Sequence, residues 1–147
     1  MDDAWRFNIF NVRKTWIEKM NIGAKPRLVR LEKAFCGAPA GSKMLVATSG
    51  IVRDYMKSIK KGKTQTVLQM RIDLAKKYRA RITCPTSSGI FVRIASEAAL
   101  EELAQGKSLT RITPFWRLVD PDSPAASKIS CGAEFIRQQR AAESKKG

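Results

Sequence analysis

Between Arg53 and Arg81 the chain carries ten basic residues and two acidic ones, yet apolar side chains keep returning at intervals of three and four. Val52, Tyr55, Met56 and Ile59 form one series, and Val67, Met70, Leu74 and Tyr78 a second, with Gly62 between them. That spacing fits two amphipathic helices, each with an apolar face inward and a cationic face to solvent. Thr48-Ser49-Gly50 caps the first, Lys60-Lys61-Gly62 ends it, and Thr64 or Thr66 opens the second.

A third helix over 86–104 follows Ile82-Thr83-Cys84-Pro85. Thr86-Ser87-Ser88 offer its N-cap, and Ile90, Phe91, Ile94, Ala95, Ala98 and Leu103 form its apolar stripe. Two helices joined by a short Pro-containing turn, the first very basic, resemble a helix-turn-helix. Upstream, Trp5, Ile9, Val12, Trp16 and Met20 predict one helix capped by Asp2 or Asp3. Leu28–Leu31 and Met44–Ala47 read as short strands around the turn Cys36–Gly41. Downstream, Arg111-Ile112-Thr113 reads as a strand, Leu118-Val119 as a short apolar piece, Asp120–Pro124 as a turn, and Phe135-Ile136 as part of a last helix. The expected fold is α/β and mostly helical: an N-terminal extension (1–48), a winged-helix-like helix-turn-helix domain (49–142) and a basic tail (143–147).

With 147 residues, 44% hydrophobic and 28% charged, the chain has the composition of one globular domain. It has no histidine, which removes Ser-His-Asp and Cys-His nucleophile systems, His-containing zinc sites and imidazole acid–base chemistry. Cys36, Cys84 and Cys131 lie 48 and 47 positions apart, so no C-x-x-C pair exists. No metal or cofactor is expected. The first residues have the wrong charge for a secretory signal, and no apolar run approaches a membrane span. The expectation is a monomer with reduced thiols, off the membrane and in the cytoplasm, on the nucleoid in a bacterium.

The formal charge is +15, of which Arg53–Arg81 contributes +8. Cations at this density attract polyanions through counterion release, so double-stranded DNA is the expected partner, with RNA or a ribosome as the alternative. A solvated surface that keeps the protein soluble is the plainer reading of the same residues.

The order of elements is similar to the DNA-binding domain of the alkylguanine-DNA alkyltransferases, the methylated-DNA–protein-cysteine methyltransferases, over roughly residues 50–142. That family shows Ile-Pro-x-Gly-x-x-x-Thr-Tyr before its first helix-turn-helix helix, matched here by Ile59, Gly62 and Thr66. Its Pro-Cys-His-Arg-Val motif is matched by Pro114, Arg117 and Val119, with Leu118 between them. Gly132 resembles the glycine before the closing helix. The departures fall on the chemistry. The nucleophilic cysteine position is Phe115 and the histidine position Trp116; the base-flipping tyrosine falls on Val67 and the arginine finger near Ile90. Alkyl transfer needs a thiolate activated by a neighbouring base, and Phe115-Trp116 supplies neither. The resemblance therefore implies a non-catalytic, alkyltransferase-like DNA-binding protein that recognises modified or distorted bases in DNA repair. A divergent alkyltransferase using Cys84 is the enzymatic alternative.

The candidate nucleic-acid contacts are Lys60, Lys61, Lys63, Thr66, Arg71, Ser87, Ser88, Ile90 and Arg93. Hydroxyls and free N–H groups at the start of the third helix suit a phosphate, and they equally suit ordinary capping. Ile90 is an apolar wedge between base steps or a core residue beside Ile94. Phe115, Trp116 and Arg117 form a candidate base pocket, since flipped bases are held between aromatic or apolar side chains. Two adjacent aromatics after a proline also serve as core plugs. Cys84 is a replacement nucleophile or, as most free cysteines are, structural.

Overall fold

The computed structural model describes residues 15–144. Among these are six α-helices, three strands and one 3-10 turn. Helix α1 (Trp16–Met20) precedes strands β1 (Arg27–Arg30) and β2 (Lys43–Val46), then α2 (Ser49–Ser58), α3 (Val67–Lys77) and β3 (Ile82–Thr83). Helix α4 (Pro85–Ala104), the 3-10 turn Phe115–Arg117, α5 (Pro124–Lys128) and α6 (Gly132–Ser144) complete the order. The α/β class holds. Among the described residues no strand follows α4, and the small sheet precedes and interleaves with the first helices.

The sheet runs β1-β2-β3, antiparallel across β1–β2 and parallel across β2–β3. The β2–β3 connection is the helical pair α2–α3, as a parallel crossover requires. Leu45, fully buried in central β2, pairs with Thr83, and its carbonyl accepts from the Cys84 N–H at 2.8 Å. The sheet thereby sets where α4 begins.

The caps of the basic helices are as expected. Thr48 accepts from Ile51 N–H, and Thr66 accepts from Gln69 N–H at 2.9 Å. Gly62 closes the intervening turn at φ +83°, a conformation that favours glycine. Val52, Met56, Met70 and Leu74 are all core residues. Asp73 of α3 accepts from the Tyr55 hydroxyl of α2 at 2.6 Å and from Gln69 at 2.8 Å, which ties the two helices side by side.

Four expectations need correction. The Trp5–Met20 stripe is not one unbroken helix, because Thr15 is extended and caps a new start in a reciprocal box with Glu18; Asp2, Asp3, Trp5, Ile9 and Val12 lie outside the described residues. Helix α4 starts at Pro85 with Cys84 as N-cap and has no side-chain cap bond. Its buried face holds Ala95 and Ala98 of the expected stripe together with Ser88, Val92, Ser96, Glu97 and Ala99, and Phe91, Ile94 and Leu103 pack partly buried beside it, whereas Ile90 is 55% exposed. Arg111–Thr113 is irregular chain leading into the 3-10 turn, whereas the expected turn after Asp120 is present, closed by Ser123 N–H donating to the Asp120 carbonyl at 3.0 Å just before α5.

Candidate nucleic-acid interface

Of the ten cations from Arg53 to Arg81, eight are exposed, and Arg53 and Arg71 are half-buried. Only Arg53 has a carboxylate within ion-pair reach among the described residues, that of Asp54 at 3.2 Å. Unpaired cations keep their full counterion atmosphere, the condition under which a polyanion gains most by displacing it. The four of them that the sequence singles out fall into two groups around α3. Lys60, Lys61 and Lys63 lie in the turn before its N-cap Thr66, a residue that is itself exposed. Arg71 lies mid-helix, where its carbonyl accepts from the Thr83 hydroxyl at 2.8 Å and so meets the start of α4.

That start presents a defined face. Thr86, Gly89, Ile90 and Arg93, at i, i+3, i+4 and i+7, are all exposed. A Cβ at Gly89 would meet nothing within 4 Å. With Val92 and the Ala125, Lys128 and Ile129 side chains of the α5 region, these residues line a cleft of about 370 Å³. The Arg93 guanidinium lies over the Trp16 indole, 5.2 Å from the ring centroid, which restrains it at the surface. Ser88 takes no part in this face: it is fully buried and its hydroxyl donates to the Cys84 carbonyl at 2.6 Å. Ser87 Oγ is buried as well and turns toward Cys84.

Cys84 is half-buried at the N-terminus of this 20-residue helix. Burial alone pushes its thiol pKa up, but the Ser87 hydroxyl, the backbone N–H groups of Ser87 and Thr86, and the charge of Arg71 together bring it below the ordinary value. Cys131 shows the opposite balance: burial and the nearby Glu97 carboxylate raise its pKa.

The 3-10 turn is clamped from three sides. Arg117 donates to Glu143 through Nε at 3.0 Å and Nη2 at 2.8 Å, and through Nη1 to the Ile59 carbonyl at 2.7 Å. Its own carbonyl accepts from Gln65 N–H at 2.9 Å. Arg140, one turn before Glu143 on α6, donates to the carbonyls of Trp116 and Val119 at 2.6 and 3.0 Å. Burial raises the Glu143 pKa, but Arg117, the Trp116 indole N–H and the Gly62 backbone N–H hold it below the usual carboxylate value. The indole N–H acts there at longer range, since Nε1 is buried and closes no hydrogen bond.

The three candidate pocket residues are therefore not equivalent. Phe115 is fully buried, stacked on Phe135 at 6.0 Å between centroids and edge-on to Trp116 at 5.4 Å, and so is a core plug. Trp116 and Arg117 line a separate cavity and do not reach the cleft at Gly89 and Ile90. Among the described residues no group of acidic or sulfur ligands has the arrangement to hold a metal ion, and no helix is long and apolar enough to cross a membrane. Comparison with known protein families, with curated proteins and with solved structures gives no match.

Proposed function

We propose that this chain is a non-catalytic double-stranded-DNA-binding protein on an alkyltransferase-like scaffold, recognising modified or distorted bases. The observation that carries the reading is the band of cations from Lys57 to Arg81, none of which has a carboxylate within ion-pair distance among the described residues. In this reading α3 and α4 act as the helix pair, and the exposed face Thr86, Gly89, Ile90 and Arg93 enters a groove. Gly89 lets a strand approach closely, Ile90 is the apolar wedge, and Arg93 and Arg71 take phosphates. The turn Lys60–Lys63 holds the backbone from the other side of α3. Phe115 and Trp116, where the resembling family carries its cysteine and histidine, leave the turn without a nucleophile or base.

A second reading rests on the lowered thiol pKa of Cys84 beside the same face. There the Cys84 thiolate would attack the alkyl carbon of an O6-alkylguanine. The new S–C bond replaces the C–O bond, and the departing guanine takes up the proton that the thiol gave to water.

Binding to matched duplexes with and without one central alkylguanine, with intact mass measured on the same samples, separates the readings. Tighter binding to the modified duplex with unchanged mass is the expected result. A gain of one alkyl group, abolished in Cys84→Ser, would replace the first reading by the second. Displacement of DNA by equimolar structured RNA would make RNA the partner.

A further inference from the structure

A cavity of about 650 Å³ opens between the last turn of α2, the loop after α4, the 3-10 turn and the C-terminal half of α6. It shares no lining residue with the cleft at Gly89 and Ile90. Its volume is in the range of small-molecule sites. Lys57, Lys61 and Arg111 all line it, and none has a carboxylate partner among the described residues. The one carboxylate in the lining, Glu143, is already held by the Arg117 fork. All three are exposed, so an anion in the cavity would meet cations that no carboxylate already pairs. The lining also has an apolar part, made by the buried residues Ile112, Pro114 and Trp116. The Gln139 side chain also lines the cavity and makes no hydrogen bond among the described residues.

We propose that this cavity binds a nucleoside monophosphate. Lys57, Lys61 and Arg111 hold the phosphate, the planar base lies along Ile112, Pro114 and Trp116, and Gln139 takes a polar edge of the base. A phosphate alone would leave the apolar wall uncovered, and an uncharged ring would leave the cations unpaired. The proposal does not rest on DNA binding, although Lys57 and Lys61 belong both to the cavity and to the cationic band.

Calorimetric titration of the full chain with AMP, adenosine and inorganic phosphate at low salt tests it. AMP is expected to bind at a single site, with adenosine and phosphate each at least roughly tenfold weaker. Arg111→Ala removes one charge-assisted hydrogen-bond donor, and Ala142→Trp, at an exposed lining position, fills the mouth without disturbing the core. Each is expected to weaken AMP by roughly tenfold or more while its melting curve stays that of the parent. Duplex binding, measured separately, is expected to be unchanged in Arg111→Ala. No heat with AMP up to about 5 mM, phosphate binding as tightly as AMP, or unchanged AMP binding in both variants would overturn the proposal.

Discussion

At the scale of single residues, the Arg117–Glu143 pair is the interaction on which most other groups converge. Both side chains are mostly withdrawn from water, at 16% and 11% exposure, so removing one leaves the other charged and poorly solvated. Arg117→Ala is expected to lose about 3 kcal/mol of stability by urea unfolding. Glu143 titrates below its unfolded value, so its contribution is complete above the unfolded carboxylate pKa and disappears as pH falls through the folded one. The gap between the parent and Glu143→Gln is therefore expected to be widest near pH 7 and to close only as pH falls past the ordinary glutamate range. A gap that is constant with pH would mean that the carboxylate charge contributes nothing. The thiols give a second prediction. At pH 7.5 iodoacetamide is expected to label Cys84 faster than Cys131, as peptide mass mapping over time would show, because one thiol pKa is lowered and the other raised. Equal rates would remove the electrostatic account of Cys84. Neither effect is legible in the chain. Glu143 stands 26 positions from Arg117 and reads as the start of a polar tail.

At the scale of elements, legibility follows how the cores are made. Helices α2 and α3 bury branched and long apolar side chains at helical spacing, so their extent and caps can be read directly. Helix α4 buries Ser88, Ser96 and Glu97 as well as Val92 and alanines. Its serine hydroxyls return to the carbonyl four residues back, at 2.6 Å for Ser88 and 2.7 Å for Ser96, and Glu97 accepts from the Ser130 N–H at 2.9 Å. Polar residues satisfied in this way are invisible to a count of apolar positions, so the apolar stripe finds Ala95 and Ala98 but misses Ser88, Ser96 and Glu97 and takes in the exposed Ile90. The 3-10 turn Phe115–Arg117 is not legible in the sequence, because the carbonyls of Trp116 and Val119 find Arg140, a partner supplied by tertiary packing. Gly89 carries the element-scale prediction. It sits inside α4 with open space where a Cβ would stand, so Gly89→Ala is expected to add roughly 0.5–1 kcal/mol of stability by thermal unfolding. In the DNA reading the same change weakens duplex binding. Gain of stability with unchanged binding would leave the exposed face without a role in recognition.

At the scale of the whole molecule, a formal charge of +15 repels itself, and the fold keeps more than half of it on one stretch of chain wrapped around α3. The order of charges along the chain is enough to read this asymmetry, whereas the exposed face at the start of α4 depends on how the helices pack. The central claim is that this cationic band meets the phosphates of duplex DNA. The most direct test is the salt dependence of duplex binding for the parent and for Lys60→Ala, Lys61→Ala and Lys63→Ala combined. The parent is expected to show affinity falling linearly on logarithmic axes, and the triple variant a slope shallower by about 0.9 for each phosphate it no longer neutralises. Identical slopes would take the turn before α3 out of the interface, and no duplex binding even at low salt would contradict the account as a whole.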